Sequence, residues 1–170
     1  MGKKTAYLGV FLALALILSY VEALIPFQLG IPGAKLGLAN LIVVVMLYEM
    51  GAKEAAVVAV LRIVLSGFLF GNLFSIVYSL AGGLLSFVIM YLLKKSRLFH
   101  TVTVSVMGGI SHNIGQVLIA AYLAGNIHVL YYTPVLVFVG FVTGLLIGLI
   151  AVRLCGRLSR LFTDNAPREL

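Results

Sequence analysis

Acidic side chains are scarce in this sequence. Five Asp and Glu residues stand against twelve Lys and Arg, and Asp164 is the single aspartate. Prenyl chain elongation on a diphosphate needs clustered aspartates to hold Mg²⁺, so the chain is not expected to be an enzyme of that kind, and no cofactor is expected. Cysteine is nearly absent too: Cys155 alone excludes an internal disulfide and thiolate metal clusters. Charged residues make up only 10% of the chain, where a soluble domain averages roughly 25%. There is no Walker-type phosphate loop. Active transport by this chain would therefore need partners that hydrolyse ATP.

What is present is apolar. Of the 170 residues, 62% are hydrophobic, and the mean hydropathy is +1.17. A water-soluble fold of this size could not cover that much apolar surface, so the expected solvent is lipid. The formal net charge of +7 does not point to nucleic acid. Lys3, Lys4, Lys94, Lys95, Arg97, Arg153, Arg157 and Arg160 flank hydrophobic stretches, as cytoplasmic loops do under the positive-inside rule, where they also meet anionic lipid headgroups. The first apolar run, Ala6 to Ile25, has the length of about 20 residues needed to cross a bilayer. It is read as a retained helix; Val21-Glu22-Ala23 only loosely resembles a cleavage site.

Backbone groups in lipid must be satisfied within the segment, so long apolar runs are predicted to be helices. They fall at about 5–25, 36–50, 54–70, 73–93, 101–124 and 134–155. The expected fold is all-α: a polytopic, six-transmembrane-helix bundle as one domain over 1–162, with a short cytoplasmic tail at 163–170. Residues 26–35, with two prolines and two glycines, form a loop or a partly re-entrant segment. Helix two is short, and 36–70 is alternatively a re-entrant pair. With both termini cytoplasmic in the cell membrane, the outer side receives only Lys35, and Arg62 is left within the membrane.

Polar residues in such a chain carry the functional information, because each is costly in lipid. Arg62 keeps its charge and must meet a carboxylate, carbonyls, water or a ligand anion. Glu22 is a possible structural partner; a place in a ligand pocket is the alternative. Helix five carries Ser111-His112-Asn113 and, one turn on, Gln116. His112 and Gln116 share a helix face, which suits ligand binding, interhelical hydrogen bonds, or a proton relay or metal site. Gly108 and Gly109 leave space beside them. Lys35 and the N-terminus of helix two near Asn40 would attract an anion; snorkelling to headgroups is the alternative reading of Lys35. Together with Arg62 they predict an electropositive pocket open to the outside. Asn72, Tyr131 and Tyr132 lie in the other outer connections and could close it. Small residues repeat every four positions as Gly140, Gly144 and Gly148, as Ser75, Ser79 and Gly83, and as Ala15, Ser19 and Ala23. Such spacing lets helices approach closely, within the bundle or against another membrane subunit.

The segment PGAKLGLAN (Pro32 to Asn40), followed by SHNxxQ in helix five (Ser111 to Gln116), resembles the bacterial membrane proteins called heptaprenyl diphosphate synthase component I, also grouped as Gx transporters. That family looks related to the S components of energy-coupling-factor transporters. The resemblance covers nearly the whole chain. It implies a substrate-binding subunit that takes a vitamin-like or precursor molecule, here an anionic one, from outside. It also implies a transmembrane coupling subunit and cytoplasmic ATPases as partners, with Ala15, Ser19 and Ala23 at the docking positions of helix one. Substrate residues differ among S components, so the pocket residues Lys35, Asn40, Arg62, Asn72, His112, Asn113 and Gln116 rest on the residue reading alone. Two rival functions stay open: a non-catalytic membrane component of heptaprenyl diphosphate or quinone biosynthesis, and a self-contained carrier or channel.

Overall fold

The computed structural model describes residues 2–24 and 37–164, with side chains described for 4–24 and 37–158. Among these there are six α-helices: α1 (Gly2–Leu24), α2 (Leu38–Glu49), α3 (Ala52–Phe70), α4 (Leu73–Ser96), α5 (Thr101–Ala124) and α6 (Thr133–Asp164), with a 3-10 helix (Ile127–Tyr132) leading into α6. The described elements are all helical. The loop expected at 26–35, Lys35 included, lies outside the described residues.

The helices pack as a ring in the order α1, α3, α4, α5, α6, α2 and back to α1, with α2 also meeting α3. Four segments, 4–24, 73–96, 101–124 and 127–158, are long and apolar enough to cross a membrane. Their outward faces carry large apolar side chains such as Phe138, Leu146, Leu84 and Ile17, an arrangement that only a lipid environment would tolerate across a whole bundle.

The shortest helix is the most enclosed. At 12 residues, α2 is about 18 Å long, well short of a hydrocarbon core of about 30 Å. It is apolar all round, and Val43, Val44, Val45, Met46 and Leu47 are at most 1% exposed. A helix apolar on every face belongs in a core. Walled by α1, α3 and α6, α2 has little need to match the bilayer.

Its C-terminal carbonyls still need partners. Met50 and Gly51 donate their backbone N–H groups to Met46 O, and the Lys94 ammonium of α4 donates to Leu47 O while lying 5.0 Å from the centroid of the Tyr48 ring. A cation at a helix C-terminus is favourable. Lys94→Met should therefore lower stability by about 1 kcal/mol, measured by thermal unfolding in detergent. An unchanged midpoint would show that the contact contributes nothing.

Helix six runs to Asp164, well past the 155 expected from sequence. Arg153 and Arg157 mark the point where the apolar face ends, but arginine is a good helix former, so the helix continues beyond its hydrophobic span. Pro134 sits in the first turn, where its missing N–H costs nothing.

Small residues hold α5 against its neighbours. A Cβ at Gly109 would lie 2.3 Å from Gly140 O, and one at Gly144 would lie 2.7 Å from Val106 Cα. The α6 stripe is therefore a packing seam with α5. On the other side, a Cβ at Gly115 would come 2.9 Å from Ala81 O of α4. Buried hydroxyls fasten both seams: Ser105 Oγ donates to Gly144 O at 2.8 Å and Ser86 Oγ to Gly108 O at 2.8 Å.

Candidate functional site

All six helices contribute to a cavity of about 150 Å³. Ser19, Glu22 and Ala23 come from the last turns of α1, and Gly37 and Asn40 from the entry to α2. Arg62, Ile63, Ser66, Phe70 and Gly71 come from α3 and its end, and Ser75 and Ser79 from α4. Gly109, His112 and Asn113 of α5, with Thr143 and Ile147 of α6, complete the described lining. Each helix contributes from the half, or the middle, that lies away from the bundle end where Lys4, Lys53, Lys94, Lys95 and Arg153 cluster. The cavity thus belongs to the end opposite that cluster of cations.

Among the described lining residues, Arg62 and Glu22 are the permanently charged side chains. Glu22 Oε1 accepts a hydrogen bond from Gly37 N at 2.5 Å, and Glu22 is near enough to Arg62 for their charges to interact. Gly37 has φ 68°, a left-handed conformation that glycine adopts at little cost and that aims its N–H at the carboxylate. Lys35, the other cation of the electropositive pocket expected from sequence, lies outside the described residues. The anion position at the start of α2 is filled from within by Glu22, which also offsets Arg62.

Polar capacity remains unused. Arg62 Nε and Ser19 Oγ are buried without a hydrogen-bond partner, and both residues line the cavity. Unpaired buried polar atoms are expensive, so groups of this kind on a cavity wall suit a ligand or water.

The predicted site residues separate into three groups. Asn40, Arg62, His112 and Asn113 line the cavity together, though Asn113 also donates through Nδ2 to Leu136 O at 2.7 Å, tying α5 to α6. Asn72 and Gln116 are absent from the described lining. Asn72 is an N-cap, its Oδ1 accepting from Ser75 N at 2.8 Å, because a side chain one residue before a helix is drawn to the free N–H groups. Gln116 is packed against α4, where a Cβ at Gly82 would lie 2.6 Å from Gln116 Cγ. Lys35 lies outside the described residues. Tyr131 is 79% exposed, and neither it nor Tyr132 is among the described lining residues.

Helix one also differs from expectation. Ala15 is fully buried in the core, and Ser19 and Ala23 line the cavity. Of the stripe read as a docking surface, Ala15 packs inward, Ser19 is half-buried and Ala23 is exposed, and small side chains let α1 approach α2 and α3 closely. The exposed side of α1 carries Val10, Leu14, Ile17 and Val21 instead. The cavity hydroxyls Ser66, Ser75, Ser79 and Thr143 went unnoticed as a group. Spaced four apart, Ser75 and Ser79 offered the usable signal: a polar face on an apolar helix.

Gln116 supplies a test of its own. It is 1% exposed, and both its amide atoms lack partners. Gln116→Met keeps the volume and removes the unpaired amide, so it should raise stability by about 1–3 kcal/mol. Destabilisation in thermal unfolding would mean that the amide is satisfied by something else in the folded protein.

An apolar-surfaced helical bundle closing around a polar cavity is the build of a polytopic α-helical membrane protein. More particularly, the chain belongs to the heptaprenyl diphosphate synthase component I family, whose model matches residues 11–154 and so takes in every described lining residue. No curated protein and no solved structure is similar to it at a significant level.

Proposed function

We propose that this chain is the substrate-binding membrane subunit of a small-molecule uptake transporter, comparable to an S component, and not an enzyme. One observation carries the reading: six helices converge on a cavity whose wall includes Arg62, Glu22 and unpartnered polar atoms within an otherwise apolar bundle. Polar groups are costly there and are expected where they serve a ligand. At about 150 Å³ the space matches a cavity known to take benzene, a scale suited to a small ring compound. A transmembrane coupling subunit and cytoplasmic ATPases would supply the energy.

The family description favours a second reading, a non-catalytic membrane component of heptaprenyl diphosphate or quinone biosynthesis. A polyprenyl chain is many times the cavity's size, so the lipid would have to lie elsewhere on the bundle. Purification in mild detergent separates the two. Co-purifying ATPase and coupling subunits support the transporter reading; a co-purifying soluble prenyl synthase with no ATPase would replace it with the second.

A further inference from the structure

The outward face of α6 ends in two arginines one helical turn apart. We propose that Arg153 and Arg157 form a binding site for a single anionic phospholipid, its phosphate between the two guanidiniums and an acyl chain along the apolar face that precedes them. The site is separate from the cavity and does not depend on what the cavity holds.

Arg153 and Arg157 are exposed and, with Ile150 and Leu154, line a groove on α6. Four residues apart, they project from one helix face about 6 Å apart along the axis. Neither is in an ion pair among the described residues, and the described lining of the groove holds no carboxylate. Two like charges at this spacing are mutually unfavourable, and a shared anion relieves the repulsion. A guanidinium presents a planar fork of N–H donors that matches phosphate oxygens, so one phosphate can accept from both side chains.

The apolar half of the site adjoins the charged half. Back along α6 in steps of one turn, Ile150, Leu146 and Val142 are all exposed. They form a strip on the surface of a helix long and apolar enough to cross a membrane. The arginines stand at its end, at the same end of the bundle as Lys53, Lys94 and Lys95, where headgroup phosphates would lie. A zwitterionic headgroup fits less well. Its ammonium would meet the charge of the arginines with no acidic partner in the described lining.

The test offers the purified full chain in detergent equal amounts of phosphatidylglycerol and phosphatidylcholine with matched acyl chains, and reads bound lipid by native mass spectrometry. The wild-type chain should retain phosphatidylglycerol over phosphatidylcholine by about tenfold or more, the scale of a charge-assisted hydrogen bond. Arg153→Gln/Arg157→Gln, at exposed positions where folding is not at stake, should remove that preference. Lys95→Gln/Arg97→Gln takes the same charge from the same end of the bundle and should leave it unchanged. No preference in the wild-type chain would overturn the proposal. So would an equal loss in both double variants, which would show attraction to net charge alone. Excess glycerol 1-phosphate, which carries the phosphate without acyl chains, should not displace the lipid; displacement would show a site for soluble phosphates and overturn the assignment to a lipid.

Discussion

Gly109→Ala is expected to destabilise the protein by about 3 kcal/mol, the upper end of the overpacking range, although it adds one methyl group. The atom that methyl would meet is Gly140 O at 2.3 Å, with Gly144 Cα at 3.3 Å. Both are backbone, so no rotamer change relieves the clash and the helices must separate. Separation would stretch the bonds from Ser105 Oγ to Gly144 O and from Asn113 Nδ2 to Leu136 O, both across the same seam. It would also move a wall of the cavity, since Gly109, Thr143 and Ile147 all belong to its lining. Gly156→Ala is the matched control: that position in α6 has open space around it, and alanine in a helix interior is favoured by about 1 kcal/mol over glycine. Thermal unfolding of the two variants in the same detergent decides the matter. Equal midpoints would mean that the α5–α6 contact does not depend on the missing side chains.

How far the sequence revealed this architecture depends on what each residue had to signal. Helix positions were legible because lipid forces apolar runs into helices, and all six start within three residues of the expected positions. The end of α6 was not, because the edge of an apolar span is a solvent boundary and arginine-rich helix crosses it freely. The enclosure of α2 was hidden as well: a short apolar helix has the same composition whether it faces lipid or lies within a ring of neighbours. The burial of Ala15 was illegible for a related reason, since small residues at four-residue spacing promote contact without naming the partner. Within the site, Arg62 and His112 stood out as costly polar groups in apolar helices and do line the cavity. Gln116 sent the same signal and is packed against α4. Periodicity assigns a face to a helix, but only packing decides whether that face meets a cavity or another helix.

Arg62→Ala is expected to remove ligand retention altogether, by at least a hundredfold, and to lower stability by about 1–3 kcal/mol. The two losses have different origins. Stability falls because Glu22 loses the charge that opposes its own, and a buried charge stripped of its partner bears a desolvation cost that the pair did not. Retention falls because the Nε–H donor on the cavity wall is gone, and with it the group that fixes an acceptor oxygen. The double variant Glu22→Gln/Arg62→Gln separates these effects: it should recover most of the stability, since no lone charge remains, yet stay unable to hold ligand. His112→Ala, at another lining position, should weaken retention with a smaller effect on stability, as it leaves Arg62 and Glu22 in place. Native mass spectrometry for bound small molecules, read beside thermal unfolding of each variant, resolves the two quantities. If the double variant regained ligand along with stability, Arg62 would be a structural counter-ion for Glu22, and the cavity's recognition would have to lie with its hydroxyls.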